Sequence, residues 1–250
     1  MTIVARRLNA ALGLAMALTL VLTVLAVPAS ATETFARLET EEGNILLVFY
    51  PELAPHHVDN FVHLSRTGFY DGTRFHRIVP GFVIQGGDPN SKDDDPRNDG
   101  MGGPTLADIL GQEEAQLVNE LNAKLEAKGY AGIQGQAQLK AEFSKTAKHM
   151  RGSLSMARSR EVDSAGSQFF ICADKTSQLD GQYTIFGQVV SGIEVADVIV
   201  GAEKNPAAGR DAPAFPVAIK KVTIIEGTDD LTVEEKAAWE AMPAGLKNVK

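Results

Sequence analysis

The chain has 250 residues, 44% of them hydrophobic, which suits one substantial globular domain and falls short of two. Its 24 basic against 32 acidic side chains give a formal charge of -8, a balance that repels phosphate and excludes nucleic acid as a partner. The single cysteine, Cys172, excludes an intramolecular disulfide, so stability must come from the core.

The first element stands apart from that domain. Arg6 and Arg7 precede an uncharged run from Ala10 to Val27, and Ala29-Ser30-Ala31 follows, the layout of a secretory signal peptide cleaved near Ala31. The run is long for a signal and approaches a spanning helix, so a membrane anchor at residues 10–27 is the alternative. The arginine pair also fits a twin-arginine signal, but Leu8-Asn9-Ala10 continues it poorly. An exported, periplasmic protein is expected, with 22 basic and 32 acidic side chains in residues 32–250.

FARLET and ILLVFY then read as a hairpin turning at Gly43 and Asn44. From Pro55, the positions Val58, Phe61, Val62 and Leu64 mark one helical face, ended by Gly68 after Arg66. A strand is predicted from about Thr73 to Val79, a turn at Pro80-Gly81, and a second strand in FVIQGG. Alternation puts Phe75, Arg77 and Val79 on one face, with His76 and Ile78 on the other; on the next strand Phe82, Ile84 and Gly86 oppose Val83, Gln85 and Gly87. After the polar loop 88–103 comes one amphipathic helix with a stripe of Leu117, Leu121 and Leu125 expected to pack on the domain, and with Lys124, Lys128 and Gly129 at its stop. GSLSMAR, SQFFICA and YTIFGQVV are short strands, Glu194 to Val200 a brief helix, and PVAIKKVTII a last strand. The tail LTVEEKAAWEAM opens on a capping box, Thr232 and Glu235. Many short strands with few helices indicate a closed barrel or a sandwich with helices at its ends.

Arg77 is the residue to explain, a charge inside the otherwise apolar run FHRIVPGFVIQGGD. Taken alone it is an edge arginine resting its stem on apolar surface. Its neighbours change that reading. The run resembles the signature of cyclophilin-type peptidyl-prolyl isomerases, and GSLSMAR, SAGSQFFICA and LDGQYTIFGQV resemble that family's later blocks, in the family's order. The resemblance spans about Phe35 to Glu226 apart from an insertion at about 104–139. It implies a mainly β isomerase domain over 32–226, an eight-stranded antiparallel closed barrel capped by two helices; the helical tail at 227–250 lies beyond the resemblance and rests on its capping box. A shallow outer groove would bind X-Pro segments of extended or unfolded polypeptides, with no cofactor and no metal. A monomer is expected.

By the same resemblance Arg77 is matched to the prolyl nitrogen, and Gln85 would hold it. Phe82, Val83, Phe170 and Leu179 would line the proline pocket and Gln168 would assist Gln85. Ala157 and Arg158 would pair with the peptide backbone, Gly100 would allow close approach, and Tyr183 stands where many members have His. Phe169 and Ile171 should face the core. Gln178 replaces a frequent aromatic, which predicts weak cyclosporin binding. Two other readings stand beside this one. One is a peptide-binding chaperone on the same barrel. The other is a metal carrier using His56, Asp59 and His63, whose loose spacing fits a solvated helix face better than a closed site. His76 is expected to be a structural, hydrogen-bonded histidine, and Cys172 an inert buried thiol. Ser153, Ser155, Ser164 and Ser167 lack a nucleophile-elbow motif, which speaks against hydrolysis.

Overall fold

The computed structural model describes residues 32–126, 137–209, 211–247 and 249, so the signal reading of residues 1–31 and the helix stop at Lys128 and Gly129 lie outside them. β1 (Thr34–Thr40) and β2 (Asn44–Phe49) form the expected hairpin, with Phe35 opposite Val48 and Glu39 opposite Asn44. Gly43 turns it at φ +129°, a conformation that a side chain resists. α1 (Pro55–Arg66) begins on a proline, whose missing N–H costs nothing in a first turn.

β3 (Arg77–Val79) and β4 (Val83–Gly86) follow, then α2 (Leu106–Leu110) and α3 (Gln112–Glu126). β5 (Ser153–Met156), β6 (Phe169–Cys172), β7 (Ile185–Ser191), α4 (Ile193–Val200) and β8 (Ile219–Glu226) complete the sheet and its helices. The eight strands are antiparallel in the order β3-β4-β6-β5-β7-β2-β1-β8. The curled sheet closes through one isolated bridge, Arg74 to Ala218, with Phe75 N–H donating to the Val217 carbonyl at 3.0 Å, rather than through a full ladder.

That closure corrects one expectation. Residues 73–75 bond to β8's leading edge, so the β3 ladder starts only at Arg77 and the alternation resets there. Phe75 therefore lies in the core with Ile78, and not on the face of Arg77.

Strand alternation otherwise sorts the side chains. Ile45, Leu47 and Phe49 of β2 point into the barrel, while Leu46 and Val48 point out. Phe61 of α1 sits among Phe49, Tyr70, Phe169 and Phe186 with ring centroids 4.7–5.6 Å apart. α4 buries Val195, Ala196, Ile199 and Val200 against the same core.

The tail is part of this structure, since Glu33–Lys250 form one compact unit. α5 (Val233–Ala241) starts on the expected capping box and α6 (Ala244–Lys247) follows. Trp239 meets Phe35 edge-on at 5.1 Å and, with Leu231, covers the outward side chains Leu46, Val48, Ile185 and Ile225. Arg37 donates to Glu235 through two hydrogen bonds of 2.6 and 2.5 Å, and the Tyr50 hydroxyl donates to the Leu246 carbonyl at 2.6 Å.

The insertion leaves and rejoins the barrel at one place: Ala137 N–H donates to the Pro104 carbonyl and Leu139 N–H to the Ala165 carbonyl, both at 2.8 Å. Its described residues hold two helices where one was expected, because Gly111 at φ +84° ends α2. The stripe is also turned around. Ala115 is buried, whereas Leu117 and Leu121 are 61% and 51% exposed, so the leucines do not pack on the domain.

Candidate active site

Cross-strand register explains how the site assembles. Arg77 pairs with Gln85, Gln85 with Phe170, and Phe170 with Ser155, so these residues form one row across four strands on the barrel's outer face. The next row places Val83 opposite Cys172. Phe169 and Ile171 face inward, as alternation requires. Phe82 precedes β4 in a turn, so its ring joins Val83 instead of Ile84. Leu179 ends a short 3-10 turn, Ser177–Leu179, and Tyr183 follows, its ring edge-on to Phe170 at 5.7 Å.

Together Arg77, Phe82, Val83, Gln85, Ala157, Arg158, Phe170, Leu179 and Tyr183 line one cavity of about 330 Å3. Gly100 and Gln168 border an adjoining one. All eleven residues singled out in the sequence thus lie on one groove. Ala157 spends its N–H on the Gln168 carbonyl at 2.8 Å, so only its carbonyl can pair with a guest chain there.

The Arg77 side chain is 38% exposed. Its Nη1 donates to Gln85 Oε1 at 3.2 Å, Gln85 Nε2 donates to Gln168 Oε1 at 2.9 Å, and Gln168 Nε2 donates to the Gly102 carbonyl at 2.9 Å. This amide relay fixes the guanidinium from one side. On the other, Asp211 stands 3.6 Å away, too far for a hydrogen bond, and shares its carboxylate with Lys204 at 3.1 Å. Asp211 carries no periodic or motif signal, which is why sequence reasoning passed over it.

Behind the pocket, His149 stacks against Phe170 at 6.1 Å, held by Asp180 at 3.1 Å and Ser155 Oγ at 3.1 Å. Burial lowers its pKa, so the ring is neutral near pH 7. Cys172 is buried with Val83 and Phe170 beneath the pocket; burial pushes its thiol up to about 11, which leaves it un-ionised and inert. His76 departs from expectation. Its buried ring nitrogens lack a hydrogen-bond partner among the described residues, and burial lowers its pKa. It supports Gly100 from below rather than bonding to the framework. His63 of the proposed metal face instead bonds the Asp108 carbonyl at 2.8 Å, tying α1 to α2.

Residues 35–224 match the family model described as cyclophilin type peptidyl-prolyl cis-trans isomerase. The chain belongs to this family. A relative named peptidyl-prolyl cis-trans isomerase A from Dickeya dadantii is 34% identical over 204 residues, which cover 79% of this chain and 88% of the relative. A probable peptidyl-prolyl cis-trans isomerase from Brucella abortus is 36% identical over 71% of this chain and 81% of its own length. Among solved structures, a Cryptosporidium parvum cyclophilin aligns with a TM-score of 0.59 at 27% identity, covering 78% of this chain and 99% of that one. The same cyclophilin solved in the presence of the dipeptide Ala-Pro aligns with a TM-score of 0.58 at 28% identity, over 77% and 99%. This cyclophilin-type chain is thus a peptidyl-prolyl cis-trans isomerase, and its eight-stranded antiparallel sheet is the family's fold.

Proposed function

We propose that this isomerase is exported to the periplasm, where it turns X-Pro bonds in extended or unfolding proteins, with Arg77 as the transition-state donor. The uncatalysed rotation faces a barrier of about 18–20 kcal/mol because the C–N bond has partial double-bond character. No bond need break. When the amide twists, resonance is lost and the prolyl nitrogen turns pyramidal, gaining a lone pair that accepts a hydrogen bond absent from the ground state. A donor that binds only this state lowers the barrier. Arg77 suits the task because it is permanently charged and sits at the rim of an apolar notch where its field is weakly screened.

The single observation that carries this reading is the placement of the guanidinium: beside Phe82, 6.0 Å from its ring centroid, steadied by Gln85 and 3.6 Å from Asp211. Phe82, Val83, Phe170 and Leu179 would steady the pyrrolidine, Gln85 and Gln168 would position Arg77 and a substrate carbonyl, and Tyr183 would close the pocket's side. Gly100, Ala157 and Arg158 would lie along the flanking peptide. The export step rests on the arginine pair, apolar run and Ala29-Ser30-Ala31 of the leader; an uncleaved anchor is its alternative. The competing role is a chaperone that grips peptides without turning them. Exchange NMR on a short X-Pro peptide, run beside an aggregation-suppression assay, separates the two: the isomerase reading expects catalysed exchange that Arg77→Ala removes, and suppression of aggregation without any exchange would contradict it.

A further inference from the structure

The proline pocket shares Gln85, Ala157 and Arg158 with a second cavity of about 170 Å3, bounded by Gly100, Ser159 and, from the insertion, Gln138. The lining of the two cavities includes two guanidiniums, Arg77 and Arg158, and no carboxylate. In a chain of formal charge -8 that is a local reversal of sign. The nearest acid, buried Asp88, lies behind this lining, where it accepts from the Gly100 and Gly102 N–H groups and, at 3.4 Å, from Gln168 Nε2, while Asp163 accepts from Ala141 N–H. Glu161 sits on the same rim loop, outside the lining.

Arg158 is held in place. Its guanidinium lies 4.7 Å from the Tyr183 ring centroid and 5.9 Å from that of Phe143. Nε donates to the Gln182 carbonyl at 3.0 Å, and Nη1 donates to the Ser159 and Arg160 carbonyls at 3.0 and 3.4 Å. Nη2 has no hydrogen-bond partner among the described residues and keeps two N–H donors for a guest. A planar cation already fixed by stacking loses little rotamer freedom when it binds a carboxylate.

We infer that the second cavity is a subsite for an acidic side chain, Asp or Glu, within two residues of the proline, and that Arg158 selects it. This rests on the proposed reading in taking the first cavity as the proline site. The shared walls set the reach, since an extended chain advances about 3.3 Å per residue. A lysine at that position would meet Arg158 and be rejected.

Two sets of X-Pro peptides test this, carrying Glu, Gln or Lys two positions before the proline or two positions after it. Binding is read by NMR titration and turnover by exchange. In one set, Glu is expected to exceed Lys by about tenfold and Gln by about threefold in both affinity and kcat/KM. Raising salt to about 0.5 M should remove most of the preference. Arg158→Gln should bring the three peptides within about twofold, and Arg158→Lys, which keeps the charge, should retain part of the order. Equal values for the three peptides in both sets, or a preference that survives high salt or Arg158→Gln, would overturn the subsite. If the Gln variant does not fold, the wild-type order and its salt dependence decide. Selective binding without any catalysed exchange would uphold the subsite and refute the isomerase mechanism.

Discussion

Two apolar patches lie on the outside of the same barrel and meet different fates. The patch of Phe35, Leu46, Val48, Ile185 and Ile225 is sealed by the chain's own tail, through Leu231 and Trp239. The patch of Val83, Phe170 and Cys172 is buried too, but its cover of Phe82, Leu179 and Tyr183 is only partly buried and leaves a cavity of about 330 Å3 with Arg77 at its rim. Both arise because strands such as β2 and β6 are apolar on both faces, so the pleat sends half of those side chains outward. An apolar outer face needs a cover. Where the chain supplies it, the patch stabilises the fold. Where the cover leaves a cavity, a guest can enter, and the charge beside it decides what is done to that guest.

Opposite responses to mutation should follow from that contrast. Trp239→Ala should cost about 3–5 kcal/mol of folding stability in urea denaturation, while the folded protein keeps its kcat/KM within about twofold. A loss of activity without a loss of stability would place the tail in the site. Glu235→Gln should cost about 2 kcal/mol, because Arg37 then lacks its charged acceptor. Arg37 holds the Glu235 carboxyl below the usual carboxylate range. The sign follows: this stabilisation is full above the unfolded pKa of about 4.3 and fades as pH falls through the lower folded value. Denaturation curves of wild type and Glu235→Gln should therefore converge in acid.

Smaller effects are expected in the patch with the cavity. Leu179→Ala, at a half-buried position, should raise KM about fivefold and leave the melting temperature nearly unchanged, the reverse of Trp239→Ala. Asp211→Asn should alter kcat/KM by less than about threefold, since its contact with Arg77, at 3.6 Å, is too long for a hydrogen bond. A large gain on removing Asp211 would mean that Arg77 is restrained in the free enzyme.

Much of this was readable before any coordinates. Strand alternation anticipated that Phe170 and Gln168 share a face and that Phe169 and Ile171 turn inward, the tail's capping box located the start of α5, and Gly68 located the end of α1. Local rules failed where distant segments intervened. Phe75 left the face of Arg77 because residues 73–75 pair with β8, some 140 positions away in the chain. The leucines of α3 satisfied a helical period, yet periodicity does not say which side a helix presents once Gly111 has redirected it. The role of Trp239 as the cover of a second patch was not legible, because nothing local in the tail names β1 and β2 as its partners.

The central claim is that Arg77 acts on the twisted amide and not on the resting peptide. Exchange NMR at saturating X-Pro peptide measures the on-enzyme interconversion rate and the affinity in one sample. For Arg77→Ala the account predicts a rate lowered by about 100- to 1000-fold with a Kd changed by less than about threefold. An on-enzyme rate equal to that of wild type, or a loss confined to Kd, would contradict it.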